Sequence, residues 1–247
     1  MKRLLYFILI LFIVNANAQE KSIYQKPPQE ILELVDVPRA PSVILDESNK
    51  NMILLYRDAY KSIEDLSQEE LRLGGLRIDP KTNIGSRVTY FNNIKIKKLN
   101  KKGADISQVI GLPTNPKLTN FNWSPNQQKL ALTHTTANGV ELWVLDLKTA
   151  AVTKLTSANL NANIGDAINW FKDGQSLLVK IVSESKKPLI NTKTAIPLGP
   201  TISVNEGKKA QNRTYQDLLK NKNDEHNFEQ LALSEIYKIS LDGSKEK

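Results

Sequence analysis

The sequence predicts an all-β chain, a partial β-propeller of about three four-stranded blades with the last incomplete, carrying two insertions of mixed loop and helix. Three observations predict it. The stretch from Phe121 to Thr156 holds four strand patterns in under forty residues, the length of one propeller blade. Its parts recur: Trp170-Phe171-Lys172-Asp173-Gly174-Gln175-Ser176-Leu177-Leu178 lies ungapped over Trp123 to Ala131, and Glu235 to Leu241 lies over Glu141 to Leu147. Both parities of the central strand are apolar, Leu142 and Val144 on one face and Trp143, Leu145 and Leu147 on the other, so it is covered on both sides. No amphipathic helix of crossover length lies between these strands, which favours stacked antiparallel sheets; a β-sandwich is the competing all-β arrangement.

At the N-terminus, Lys2-Arg3 leads an eleven-residue apolar run, Leu4 to Val14, followed by Ala16-Asn17-Ala18 with small residues where a signal peptidase reads. Residues 1–18 are therefore expected to be a signal peptide cut after Ala18, and the mature chain to be secreted or periplasmic. The run is too short to span a bilayer. Loss of Lys2 and Arg3 lowers the formal charge from +8 to +6, and the remaining Lys are scattered through turns and strand edges. Without a basic stripe interleaved with aromatics, nucleic acid is not an expected partner, nor is a membrane once the signal is cleaved. The chain has no Cys, which excludes disulfides and thiolate metal sites and leaves packing as the source of stability.

Residues 19–41 form a Pro-rich segment in which Pro27-Pro28 and Pro38 bracket a helical turn or two, Gln29 to Asp36. Residues 42–247 are read as the incomplete propeller, with blades at about 42–112, 117–156 and 166–247. Inside the first blade, Ser62 to Leu71 reads as a capped helix closed by Gly74-Gly75, followed by a charged loop from Leu76 to Arg87. Inside the third, an insertion over 184–230 begins Pro-rich and extended and then reads as a helix over Thr214–Lys220, with Thr214 as cap and Asp217 near the positive end of the dipole. Ser234 to Leu241 follows as an edge strand with unpaired backbone groups. The outer faces of the first and last blades are expected to lack cover.

Candidate chemistry is sparse. No Gly-x-Ser-x-Gly elbow occurs, and the two His, His134 on a central strand and His226 in a polar loop, lack partners at metal-ligand spacing. No catalytic residue, metal site or cofactor is therefore expected. His134 is read as packed, the Asp-Gly pairs at 173 and 242 as turns, and Trp123, Trp143 and Trp170 as blade core.

Longer motifs go further. Pro28-Gln29-Glu30-Ile31, Val35-Asp36-Val37-Pro38, Leu73-Gly74-Gly75-Leu76-Arg77-Ile78-Asp79, Trp123-Ser124-Pro125, Arg213-Thr214-Tyr215-Gln216-Asp217-Leu218-Leu219-Lys220 and Leu241-Asp242-Gly243 together resemble the N-terminal half of the prolyl oligopeptidase family of serine peptidases, in its glutamyl endopeptidase branch. The resemblance runs in register from about Pro27 to the end of the chain. One place departs, Phe228 to Ala232, where a more aromatic run is the rule. The resemblance implies a propeller that precedes an α/β-hydrolase domain holding the catalytic Ser, Asp and His and gates access to it. By that implication this chain is a non-catalytic fragment, whose partners are the missing C-terminal hydrolase domain and a peptide substrate. Cleavage after Glu would need a cation against the substrate carboxylate, which makes Arg77, Arg87 and Arg213 the substrate-binding candidates, unless each ties its own loop to the propeller. A periplasmic binding or scaffold propeller without enzymatic activity is the alternative from another class. Coding sequence past Lys247 separates the two: further blades and a Gly-x-Ser-x-Gly support the peptidase, a stop after the last blade the scaffold.

Overall fold

The computed structural model describes residues 26–99, 106–191, 194, 196, 199, 207 and 216–247, so the signal read over 1–18 and Arg213 lie outside the described residues. The chain divides into Met1–Pro38 and Arg39–Lys247. In the first part, α1 (Gln29–Val35) starts where Pro28 lends its carbonyl to the N–H groups of Ile31 and Leu32, and none of its residues is buried.

In the second part, β1 (Ser42–Leu45) and β2 (Asn51–Tyr56) pair across a tight turn. The first insertion follows, with α2 (Ile63–Ser67) and then β3 (Leu71–Leu73), β4 (Leu76–Asp79) and β5 (Ile84–Gly85) as a small sheet of their own. With β6 (Asn93–Lys98) and β7 (Ile106–Gln108) the first large sheet closes in the order β1-β2-β6-β7. The second comprises β8 (Leu118–Trp123), β9 (Lys129–Thr135), β10 (Val140–Asp146) and β11 (Ala151–Lys154) in sequence order. The third comprises β12 (Ile168–Trp170), β13 (Ser176–Val182), β14 (Ser234–Ser240) and β15 (Lys245–Glu246), with the second insertion and its helix α3 (Lys222–Ala232) between β13 and β14. Four-stranded antiparallel sheets stacked in chain order make a partial propeller, as the repeat predicted.

The stacking follows from the two-sided pattern of β10. Leu142 and Val144 pack with Leu177, Val179 and Ile239 of the third sheet. On the opposite face, Leu145 packs with Ile53, Leu55, Ile94 and Ile96 of the first. The second sheet is thus a wedge between two cores. Outward from this stack, the end sheets expose Val43 and Leu45 on one side and Leu178 and Ile236 on the other.

Antiparallel alternation also sorts the connections. Every link between the second and third strand of a sheet leaves from one face of the stack, together with the links between sheets, and every other turn leaves from the opposite face. Both insertions are second-to-third links, so both rise from the same face.

Several expectations are corrected. The first-insertion helix ends at Ser67, and Gly74-Gly75 is not its cap but the two-residue turn of the β3–β4 hairpin. Both glycines have positive φ, 58° and 81°, the conformation a type I′ turn requires. The charged loop from Leu76 to Arg87 is therefore half strand, in Leu76–Asp79 and Ile84–Gly85. In the second insertion, 216–220 is not helical; the helix lies at Lys222–Ala232, and His226 is on it rather than in a loop. Asp217 has φ +57° and lies outside any helix. β14 is not a bare edge, because Lys245 and Glu246 pair with Ile239 and Lys238. The three Trp do pack on the blade cores, each half-buried, and two keep a polar end satisfied: Trp143 Nε1 donates to Glu141 and Trp170 Nε1 to the Asn122 carbonyl.

Candidate functional site where the two insertions meet

The two insertions meet in a third apolar cluster, formed by Leu73 and Ile78 of the hairpin, Leu231 of α3, and the flanking Leu189 and Phe228. Asn221 starts the helix by accepting from the N–H groups of Asn223 and Asp224, which sets Phe228 and Leu231 three residues apart on one face. Phe228 lies so close to the hairpin turn that a Cβ on Gly74 would come within 3.0 Å of its ring. Asn227, one turn before Leu231 and buried, imitates a strand: it accepts from the Ile190 N–H at 2.7 Å and donates to the Ile190 carbonyl at 2.8 Å. The linker between the second and third sheets holds the helix from below, with Asn161 donating to the carbonyls of Leu231 and Leu233 and Asn163 to that of Leu231.

An ionic network lies beside this cluster. The β3–β4 register puts Arg72 opposite Arg77, two like charges that would repel without a carboxylate between them. Glu70 supplies it, accepting from Arg72 Nε and Arg77 Nη1 at 3.0 Å each on Oε1, and from Ser86 Oγ at 2.7 Å and Arg87 Nε at 3.2 Å on Oε2. The Ser86 hydroxyl first, then the guanidinium groups of Arg77, Arg87 and Arg72, hold its carboxyl down at about 2. Arg77 also reaches across to the second insertion, its Nη2 lying 2.8 Å from Asp217 Oδ2, while Gly75 N–H donates to the Asp217 carbonyl.

Of the predicted binding residues, Arg77 is thus engaged by two carboxylates and mostly covered, whereas Arg87 is exposed and holds Glu70 through Nε alone. Arg213 lies outside the described residues. Sequence reasoning missed Glu70, Arg72 and Asp217. Reading Gly74-Gly75 as a hairpin turn would have placed Arg72 against Arg77 and called for a neighbouring acid.

On the same face a cleft of about 340 Å³ opens at the seam of the second and third sheets, lined by Asn83, Asn138, Asn159, Glu235, Tyr237 and Lys245 among others. Of its two carboxylates, Glu184 and Glu235, the second is occupied: Lys247, Ser183 and Tyr237 bind Glu235 and hold it at about 2. Next to the lining residue Asn138, Gly139 is required for a steric reason, since a Cβ there would lie 2.2 Å from the Ala158 carbonyl. His134 is buried, with Nδ1 3.2 Å from Glu141 Oε2, and that carboxylate also binds Trp143 Nε1 and Lys154 Nζ. Among the described residues no group of three or more His, Cys, Asp or Glu is placed to hold a metal.

No family model matches the chain. Among solved structures, an acylaminoacyl peptidase in complex with Z-Gly-Gly-Phe-chloromethyl ketone is similar at TM-score 0.38 and 13% identity, over 87% of this chain and 26% of that one. The Pyrococcus horikoshii acylaminoacyl peptidase is similar at TM-score 0.35 and 15% identity, over 67% and 20%. By sequence, the chain is 32% identical over 237 residues to a probable chloroplastic glutamyl endopeptidase of Arabidopsis thaliana and 31% identical over 234 residues to one of Oryza sativa subsp. japonica. In each case 90% of this chain is matched, and it spans 24% of the relative's length. By sequence, then, nine-tenths of the chain is similar to about a quarter of a glutamyl endopeptidase, the branch of the prolyl oligopeptidase family that its motifs resemble.

Proposed function

We propose that this chain is the non-catalytic propeller part of a serine peptidase, and that its insertion face governs how peptides approach catalytic residues carried elsewhere in that protein. The observation that carries this reading is the joining of two insertions from non-adjacent sheets. Stacked sheets touch only their neighbours, yet a strap runs here from the first sheet to the third across the second, held by Leu73, Ile78, Phe228 and Leu231 and by Arg77 with Asp217. Such a strap narrows one face without filling the seams beneath it. Cleavage after Glu follows the name of the relatives, and Arg87, Arg77 and Arg213 are the residues we offer to a substrate carboxylate. Arg87 is free to do so as it stands, whereas Arg77 would first have to release Asp217. The apolar run and small residues before Gln19 support export of the mature chain, which a mature N-terminus at Gln19 in the periplasm or medium would establish.

The decisive assay is of the purified chain on Glu-containing peptides together with a serine-directed active-site reagent. Neither turnover nor labelling is expected, because an activated nucleophile needs a base and an oxyanion hole beside it. Stoichiometric labelling of one defined Ser would overturn the assignment.

A further inference from the structure

Three places in the chain put a Gly directly after an Asn or Asp: Asn138-Gly139, Asp173-Gly174 and Asp242-Gly243. Each pair lies in a turn between strands, and the structure treats them differently. Asp173 accepts from the N–H groups of Gln175 and Ser176 and from Ser176 Oγ, and Asp242 accepts from the Ser244 N–H. The Gly amides behind them are engaged too, Gly174 N–H donating to the Phe171 carbonyl and Gly243 N–H to the Ser240 carbonyl. At the β9–β10 turn neither group is held. The Asn138 side chain is exposed and makes no hydrogen bond among the described residues. The Gly139 N–H makes none there either, because the turn is closed from its other side, by the N–H and the hydroxyl of Thr136 on the Gly139 carbonyl.

We propose that Asn138 is a site of spontaneous covalent modification, at which this turn converts a carboxamide into a carboxylate. The Gly139 nitrogen loses its proton to hydroxide or water and attacks Asn138 Cγ. A C–N bond forms, the Cγ–Nδ2 bond breaks, and the nitrogen leaves as ammonia after taking up a proton. Water then opens the cyclic imide at either carbonyl, giving Asp or its β-linked isomer, isoaspartate, with no oxidant or reductant involved. The fold keeps the reacting pair in place. A Gly has no Cβ to crowd the attack, and no larger residue fits, since a Cβ at 139 would lie 2.2 Å from the Ala158 carbonyl oxygen. At 173 and 242 the same ring closure would first have to break the hydrogen bonds of both reacting groups. Gly139 is covered and its carbonyl is held, so the folded turn is expected to react more slowly than the unfolded chain does. The product brings a third carboxylate to the cleft that Asn138 lines together with Glu184, Glu235 and Lys245. None of this chemistry depends on the peptidase reading.

Peptide mapping by mass spectrometry tests it, on full-length protein aged at mildly alkaline pH and digested in acid, where ring closure stops. Exchange of NH for O raises the mass of the peptide that holds Asn138 by about 1 Da, and an isoaspartyl methyltransferase with a labelled methyl donor reports the β-linked product. Asp173→Asn and Asp242→Asn make the three pairs chemically alike, so that the fold alone distinguishes them. In the folded protein the mass shift is expected at Asn138 ahead of both substituted sites and of the other Asn residues, whereas in urea the three pairs should convert at similar rates. Asn138→Gln, which closes its ring less readily, should lose both the shift and the label at this turn. Thermal melts check that each variant folds, and loss of the amide at 138 in the unsubstituted protein decides the matter if the Asp variants do not. An Asn138 that keeps its amide in the folded protein would overturn the proposal. So would conversion there no faster than at the substituted 173 and 242, or a label at this turn that persists in Asn138→Gln.

Discussion

The two faces of the stack are built by different means. On the turn face, three Asp side chains each close a turn within a few residues. Asp46 accepts from the N–H groups of Lys50 and Asn51, Asp146 from those of Lys148 and Thr149, and Asp173 from those of Gln175 and Ser176. On the insertion face the partners are remote in the chain: Asn161 with the Leu231 carbonyl, 70 residues away, and Lys186 Nζ with Asn83, 103 away. The same stack thus carries one face whose turns are capped mainly by local hydrogen bonds, with a few long-range ones such as Glu47 N–H to Gln127, and another whose order exists only once distant segments have met.

The difference is open to measurement. If the insertion face is a core in its own right and not a rind on the propeller, Leu231→Ala should destabilise the protein by about 2–5 kcal/mol in urea unfolding, as Leu145→Ala between the first two sheets should. Both side chains are fully buried. A loss below about 1 kcal/mol at Leu231 would make that cluster peripheral. On the turn face the expected effect is smaller and confined. Asp46→Ala removes the acceptor for Lys50 and Asn51 and should cost about 1–2 kcal/mol, with faster amide exchange in the turn around 46–51 and unchanged exchange in the insertions. Exchange spreading to the other face would show that the two faces are coupled.

The smallest effect belongs to the ionic strap. In a double-mutant cycle of Arg77→Gln and Asp217→Asn, a coupling of about 0.5–1 kcal/mol that shrinks with added salt is expected for a pair that is partly covered. Its neighbour Glu70 adds a pH signature. The folded-state pKa is lowered from 4.5 to about 2, so the stability this carboxylate contributes is complete above pH 4.5 and drains away as the pH falls toward 2. Acid titration of the wild type should therefore show a steeper loss over that window than Glu70→Gln does. Equal slopes would remove Glu70 from the determinants of acid stability.

By itself the sequence determined the three stacked sheets. Strand partners within a blade mostly lie close in the chain, the side-chain period of two shows which faces are apolar, and Asp-Gly, Asn-Gly and Ser-Pro turns mark where the chain reverses, so every signal for Phe121 to Thr156 is local. The insertions were misread where local signals were ambiguous. Gly74-Gly75 suits a helix cap as well as a type I′ turn, and the strands on either side are three and four residues long. In the second insertion, Thr214 to Lys220 offers as fair a helix pattern as Lys222 to Ala232. Only tertiary structure decided for the latter, because Phe228 and Leu231 there find Leu73 and Ile78 to pack against, and Asn227 finds the Ile190 backbone. The candidate site was legible only in part, as Arg77 and Arg87. Glu70 finds its three Arg within the first insertion once the β3–β4 hairpin forms, whereas Asp217 becomes a partner of Arg77 only when two insertions from non-adjacent sheets come together on one face, and a spacing of that kind leaves no periodic trace in a single sequence.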